Sequence, residues 1–190
     1  ALRERLAKLP IHFDKKRVAD LGNIICIDEN MESCQLAFAD YIKQLISKQI
    51  FPIAIGGGHD MSYGHFKGIY NAIDNNKKIG IINFDAHFDL RAFESSNADV
   101  KPSSGTPFNQ IYDYCQKHDW PFHYACLGVS RASNTQALFE RAKELNVWFV
   151  EDKDLAHLNH IYHLTQLQHF IDNCDYIYLT IDLDVFPAAT

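Results

Sequence analysis

The sequence has little of what marks membrane, secreted or nucleic-acid-binding proteins. Its 190 residues contain no apolar run near the roughly 18 residues that a membrane-spanning helix needs, and the first residues lack the apolar core of a signal peptide. Acidic residues outnumber basic ones by 24 to 18, and a net charge of −6 disfavours a nucleic-acid-binding surface. We therefore expect a cytoplasmic protein without membrane or nucleic-acid partners, and homo-oligomerisation stays open.

Cysteine arrangements typical of structural zinc sites and disulfide frameworks are absent as well. The chain has five cysteines, an odd number, and no two of them stand in C-x-x-C spacing. Cys26 and Cys126 lie in apolar runs, as small buried thiols of a reducing compartment do. The glycine run at 56–58 is not followed by Gly-Lys-Ser or Gly-Lys-Thr, which argues against a phosphate-binding loop.

Short apolar runs alternate with segments of helical periodicity along the chain. Such alternation predicts an α/β fold with a largely parallel sheet and helices on both faces. The length suits a single domain, 1–190, with a real core. The predicted strands are Ile24–Ile27, Pro52–Ile55, Ile79–Phe84, Phe122–Val129, Val147–Val150 and Tyr176–Ile181. The predicted helices are Glu32–Lys48, Ser62–Ile73, Asn134–Leu145 and Leu155–Ile171, and Arg91–Asn109 is predicted to be a long loop.

Potential metal ligands are concentrated in three short runs, and each run follows a predicted strand. Because the carboxyl ends of parallel strands meet at one edge of a sheet, residues far apart in sequence can share one pocket there. Four carboxylates and two imidazoles would destabilise one another in that pocket without a compensating cation. The candidate ligands are His59, Asp85, His87, Asp89, Asp182 and Asp184.

This mixture of donors favours a hard or borderline divalent ion, Mn²⁺ in particular. The set is larger than one catalytic ion with an open position needs, so it predicts two ions that share bridging carboxylates. Two neighbouring ions can bind one hydroxide and lower the pKa of the water that supplies it. Each run alone is commonplace, as a glycine turn or a solvated acidic strand end, but their combination predicts a metal-activated hydrolase.

The three runs resemble the metal-binding signatures of the ureohydrolases, the arginase and agmatinase superfamily, in both order and spacing. The resemblance covers about Phe51 to Pro187. Within the superfamily, three further segments are most similar to the formimidoylglutamase branch, namely Phe84–Arg91, Ser103–Phe108 and Ser133–Phe139.

The resemblance implies a three-layer α/β/α fold of the arginase type and a binuclear Mn²⁺ centre. It implies hydrolysis of N-formimidoyl-L-glutamate, a linear amidine of histidine degradation, to L-glutamate and formamide by a metal-bridging hydroxide. By the same resemblance Asp89 holds the hydroxide and passes its proton to the departing amine. One ion would take His59, Asp85, Asp89 and Asp182, and the other Asp85, His87, Asp182 and Asp184, so that Asp85 and Asp182 bridge.

One position departs from the arginases and agmatinases. Those enzymes carry a histidine where this chain has Ser104, just before Gly105, and a serine cannot transfer protons near neutral pH as an imidazole does. The difference favours the formimidoylglutamase branch. The chain also ends soon after Asp184, where a covering helix would normally follow, so we expect the C-terminal part of the catalytic domain to be missing.

Three further residues are candidate substrate contacts. Arg91 lies two residues after a candidate ligand, and its guanidinium suits a substrate carboxylate, although a structural salt bridge explains it equally well. Arg131 and Asn134 are weaker candidates, and Asn134 also suits a helix N-cap. Another ureohydrolase activity (agmatinase, guanidinobutyrase or arginase-like), a one-ion deacetylase-like hydrolase, and a non-catalytic metal-binding or assembly protein of the same fold remain open alternatives.

Overall fold

The chain folds around one parallel sheet. The computed structural model describes residues 2–10, 17–28, 30–74, 76–92, 101–155 and 160–186. Its strands pair in the order β3-β2-β1-β4, all parallel. The strands are β1 Ile79–Phe84, β2 His123–Val129, β3 Trp148–Glu151 and β4 Tyr176–Ile181. The helices are α1 Leu2–Leu6, α2 Met31–Ser47, α3 Met61–Ala72, α4 Pro107–Lys117, α5 Gln136–Glu144, α6 Asp152–Leu155 and α7 His160–Asp172.

Helices cover both faces of this sheet, because successive side chains of a strand point to opposite faces. On β1, Ile79 and Ile81 enter a buried cluster with residues of α3, α4 and α5. Ile82 points the other way, into a second cluster that residues of α6 and α7 cover. The predicted three-layer α/β/α arrangement is therefore confirmed. Among the described residues, no helix is both long and apolar enough to cross a membrane.

Helix α2 lies outside this core and packs closely on α3. The close approach depends on glycine in α3, because a Cβ on Gly68 would lie 2.6 Å from the carbonyl oxygen of Ala39 and 2.6 Å from the Cβ of Ile42. A Cβ on Gly64 would lie 2.6 Å from the carbonyl oxygen of Gln35. Helix α3 is thereby held firmly just after the glycine run at 56–58.

Two predicted strands are absent. Ile24–Ile27 and Pro52–Ile55 are irregular, and Ile25 and Ile53 are 74% and 76% exposed. Their composition favours a strand, but a strand also needs a neighbour that accepts and donates its backbone hydrogen bonds, and within the described part of the chain neither segment has one. β-forming composition was therefore an insufficient guide at these two places.

The predictions for one loop, one helix and one helix N-cap need correction. The predicted loop Arg91–Asn109 extends too far, because α4 already begins at Pro107, where the fixed φ of proline suits a first turn. Residues 93–100 of that loop lie outside the described part of the chain. The single predicted helix Leu155–Ile171 is replaced by α6 and α7, with 156–159 outside the description. The N-cap of α5 is Thr135 rather than Asn134.

Candidate metal centre

The carboxyl end of β1 places Asp85 in the middle of the site. Its backbone N–H donates to the carbonyl of Leu127 at 3.0 Å, which continues the pairing of β1 with β2 one residue beyond the strand. The side chain is fully buried, and its Oδ1 accepts a hydrogen bond from the N–H of His87 at 2.7 Å. This bond fixes one oxygen of the carboxylate and turns the chain so that His87 and Asp89 follow at the rim.

His59 reaches the same place from the loop before α3. Gly56 and Gly57 have φ values of +114° and +71°, a conformation that glycine adopts at little cost, and they turn the chain towards the sheet. The imidazole Nδ1 lies 2.9 Å from Oδ2 of Asp85 and 2.9 Å from Oδ2 of Asp89. The other ring nitrogen, Nε2, lies 3.0 Å from the hydroxyl of Thr180. Thr180 therefore orients the ring so that Nδ1 faces the carboxylates.

The carboxyl end of β4 contributes Asp182 and Asp184. The N–H of Asp182 donates to the carbonyl of Phe84 at 2.8 Å, which aligns the two strand ends. Asp182 begins the short 3-10 turn Leu183–Val185, and its Oδ1 accepts from the N–H of Asp184 at 3.1 Å. Oδ1 of Asp184 accepts from the N–H of Ala86 at 3.1 Å. These bonds join the segment after β4 to the segment after β1.

A β-bulge at Gly128 makes room for that turn. The register of β2 shifts between Leu127 and Val129, and Gly128 has a φ of +105°. A Cβ at this position would lie 2.4 Å from Cγ2 of Val185. Only glycine allows β2 to approach the turn so closely, a placement typical of bulges beside functional sites.

The predicted ligands converge into two overlapping groups. In each group the potential ligand atoms lie within 4.8 Å of one another. Asp182 adjoins the first group, with its Oδ2 3.7 Å from Nδ1 of His59. The two groups share Asp85, which is the arrangement that a bridging carboxylate requires, although the binding of ions by these residues stays a prediction. The groups are His59, Asp85 and Asp89, and Asp85, His87 and Asp184.

The electrostatics show how strongly this cluster attracts positive charge. Burial alone would lower the pKa of His59, but hydrogen bonds to Asp85 and Asp89 outweigh it and raise that pKa to about 9. Burial raises the pKa of Asp89 to about 6, against the opposing hydrogen bond from His59. A proton on His59 thus compensates the carboxylates, and a metal ion would have to replace that proton. Oxygen and imidazole donors in this proportion fit Mn²⁺ well.

The three candidate substrate contacts differ in how far their side chains are already occupied by other residues. Arg91 is exposed, and its backbone N–H donates to the carbonyl of Gly105 at 3.0 Å. The guanidinium of Arg131 pairs with Glu151 and lies 4.8 Å from the ring centre of Phe139. Among the described residues the guanidinium of Arg91 has no ion-pair partner, whereas the contacts of Arg131 favour a structural role.

Asn134 ties the segment after β1 to the segment after β2. Its Oδ1 accepts from the N–H of Phe88 at 3.1 Å, and its Nδ2 donates to the carbonyls of Ala86 and Ser130 at 2.8 Å each. These bonds fix the backbone that carries His87. Its role towards substrate stays a prediction, since its amide already has a partner at both ends.

The structure adds residues that the sequence analysis missed. Thr180 contacts His59, and Asn83 contacts Asp85 from β1. The available signal was weak, a single polar residue within an otherwise apolar strand. Ser104, in contrast, is recognisable from sequence. It lies beside the glycine run, since a Cβ on Gly58 would lie 3.5 Å from the Cβ of Ser104.

The fold and the cluster together define a class: a three-layer α/β protein that gathers carboxylates and imidazoles at the carboxyl edge of a parallel sheet. Comparison with known families makes the identity more specific. The model of the arginase family matches residues 1–190, and the chain belongs to that family. The resemblance recognised in the three sequence runs is thereby confirmed.

Individual relatives agree with this assignment. Formimidoylglutamase of Vibrio parahaemolyticus serotype O3:K6 is 60% identical over 194 residues, which cover 100% of this chain and 56% of that protein. The crystal structure of formimidoylglutamase from Bacillus subtilis has a TM-score of 0.73 at 26% identity, over 87% of this chain and 50% of that one. Formiminoglutamase of Trypanosoma cruzi with Mn²⁺ has a TM-score of 0.70 at 18% identity, over 87% and 52%, which shows the fold alone. The chain spans 56% to 57% of the length of the curated Vibrio relatives that are 60% identical to it.

Proposed function

We propose that this chain carries the metal centre of a Mn²⁺-dependent hydrolase that cleaves N-formimidoyl-L-glutamate into L-glutamate and formamide. The observation that carries the proposal is the pair of ligand groups that share Asp85. The choice of substrate is supported by the formimidoylglutamase relatives that are 60% identical. Since the chain spans 56% of the first of these relatives, the activity is proposed for the full-length gene product, with 1–190 as part of one catalytic domain.

The proposed ligand sets extend each of the two groups by Asp182 as a second bridging carboxylate. Two divalent ions bound there would supply a water of lowered pKa and positive charge that stabilises the transition state. The donor set supports Mn²⁺, and the structure of a family member from Trypanosoma cruzi with Mn²⁺ is consistent with that choice. His59, Asp85, Asp89 and Asp182 would hold one ion, and Asp85, His87, Asp182 and Asp184 the other.

Asp89 is proposed as the catalytic proton carrier. It lies in a left-handed conformation with φ of +49°, unusual for a residue with a side chain, and is 9% exposed at the rim. There it can accept the proton of the attacking water and donate it to the nitrogen of the departing glutamate, while the formimidoyl carbon leaves as formamide. The carboxylate thus returns to its starting state after each turnover.

Arg91 is proposed to bind a carboxylate of the substrate. Its position two residues after Asp89 brings a positive charge near the reacting centre, and a guanidinium can form two parallel hydrogen bonds with a carboxylate. Arg131 and Asn134 remain further candidates for contact with the glutamate part of the substrate. Such a contact would select a substrate with an acidic rather than a basic end.

A panel of amidines tests this function. The full-length gene product is stripped of metal, reloaded with Mn²⁺ and assayed with N-formimidoyl-L-glutamate, agmatine, 4-guanidinobutyrate and L-arginine. We expect equal release of formamide and glutamate from the first compound, slow or no reaction with the others, and no reaction in the metal-free control. Preferential hydrolysis of a guanidine would contradict the proposed substrate, and no hydrolysis of any amidine would contradict the enzymatic function.

A further inference from the structure

Asn83 is a polar residue in a strand where apolar side chains are expected. It lies on β1, which is paired on both sides, and it is fully buried. An amide taken out of water destabilises a fold unless it gains hydrogen bonds. The partners of Asn83 are therefore informative about why an asparagine is present.

The two N–H groups of this amide have well-defined acceptors. Nδ2 lies 3.0 Å from Oδ2 of Asp85 and 3.0 Å from the hydroxyl of Tyr124. The hydroxyl of Tyr124 donates its own hydrogen to the carbonyl of Phe88 at 3.0 Å, so in its contact with Asn83 it acts as the acceptor. A carboxylate is also an acceptor, and together these two contacts fix the orientation of the amide.

The carbonyl end of the same amide has no such support. Oδ1 of Asn83 is buried without a hydrogen-bond partner among the described residues. The unsatisfied Oδ1 destabilises the fold, so the hydrogen bonds from Nδ2 to Asp85 and Tyr124 must offset that penalty. With the N–H of His87 on Oδ1 of Asp85 and Asn83 on Oδ2, both oxygens of the shared carboxylate are held.

We propose that Asn83 is a positioning residue that fixes Asp85 for metal binding and links it, through Tyr124, to the backbone between His87 and Asp89. This inference rests on the metal centre of the proposed function. A neutral amide suits the task, because it orients the carboxylate and leaves its negative charge available for an ion. A cationic donor in the same place would compete with the metal.

Replacement of Asn83 by leucine in the full-length gene product tests the inference. Mn²⁺ dissociation constants are measured by electron paramagnetic resonance of the free ion, and metal-free stability by thermal denaturation. We expect Asn83→Leu to raise the dissociation constant at least about tenfold, as loss of such supporting bonds typically does. The matched control is Asn109→Leu, since Asn109 is also buried, at 3% exposure, and donates to Asp113 instead of a candidate ligand. This control should lose stability and keep its Mn²⁺ affinity.

A milder variant covers the case in which Asn83→Leu does not fold. Tyr124→Phe keeps the ring and removes the hydroxyl that holds Asn83, and we expect a smaller rise of the dissociation constant. An unchanged Mn²⁺ affinity in folded Asn83→Leu, or in Tyr124→Phe if the first variant does not fold, overturns the inference. If the variants bind Mn²⁺ more weakly but the parent protein hydrolyses no amidine, the inference is supported and the proposed function is rejected. If the parent protein binds no Mn²⁺, both are rejected.

Discussion

The imidazole Nδ1 of His87 lies 2.8 Å from Oδ2 of Asp184, although the first residue follows β1 and the second follows β4. The contact arises because these two strands are parallel neighbours and end side by side. The two side chains are 38% and 43% exposed, whereas Asp85 beside them is buried. The second ligand group is therefore the more accessible one, and it can be altered separately from the first.

Asp184→Asn should convert a site for two Mn²⁺ ions into a site for one. The amide retains an oxygen that can accept from the N–H of Ala86, so the turn should persist, but the negative charge is lost from the second group only. Metal content after equilibration with Mn²⁺, measured by atomic emission, should fall from two ions per chain to one. The control is Asp154→Asn, an exposed carboxylate of α6 outside both groups, which should retain two ions. Retention of two ions by Asp184→Asn would contradict the assignment.

Arg91→Ala and Arg131→Ala should affect different properties of the full-length enzyme. Loss of a charged hydrogen bond to a substrate carboxylate corresponds to about 10- to 100-fold in binding, so Arg91→Ala should raise KM for N-formimidoyl-L-glutamate by that factor. Arg131→Ala breaks the pair with Glu151 and the stacking on Phe139, and we expect lower stability with little change of KM. If KM changes only in Arg131→Ala, the substrate contact lies there instead.

The parts of the site that follow from strand geometry were predictable from sequence. β1 and β4 have the predicted bounds, Ile79–Phe84 and Tyr176–Ile181. Because parallel strands end at one edge of the sheet, Asp85 and Asp182 could be expected to meet there. His59 was expected after a strand and instead precedes α3, yet its glycine run brings it to the same edge.

The remainder depends on tertiary contacts that no local pattern specifies. Ile24–Ile27 has the composition of a strand and lacks a paired neighbour in the described part of the chain. The first turn of α4 was predicted as loop because Pro102, Gly105 and Pro107 are residues typical of loops. Asn83 and Thr180 support the cluster from within apolar strands, where one polar residue cannot be distinguished from a satisfied core residue until its partners are known.

His65 should make the stability of the metal-free chain depend on pH. Its ring packs on Tyr178 and Phe38, with centroids 4.8 and 5.6 Å away, and burial lowers its pKa to about 4. The unfolded chain, in which the pKa is about 6.5, binds more protons below that pH. The contribution of His65 to the free energy of unfolding is therefore fully present above pH 6.5. It is lost as the pH falls towards 4, by roughly 3 kcal/mol in total.

His65→Phe keeps an aromatic ring and cannot titrate, so its unfolding free energy should fall less than that of the parent between pH 7 and pH 4.5. Urea denaturation of both metal-free proteins at several pH values measures the difference. The same substitution at exposed His118 is the control, and it should retain the pH dependence of the parent. Parallel curves for His65→Phe and the parent would contradict the prediction.

Gly128→Ala should weaken metal binding in addition to stability. The new Cβ would lie 2.4 Å from Val185 and would strain a backbone with φ of +105°, so the turn that carries Asp182 and Asp184 has to move. Gly68→Ala is the matched control, because its Cβ would collide with α2, away from both ligand groups. Both variants should lose about 1–3 kcal/mol of metal-free stability, measured by urea denaturation. Only Gly128→Ala should also raise the Mn²⁺ dissociation constant, because only there does the displaced backbone hold candidate ligands. Equal Mn²⁺ affinities in the two variants would mean that the bulge of β2 supports the fold without positioning the metal centre.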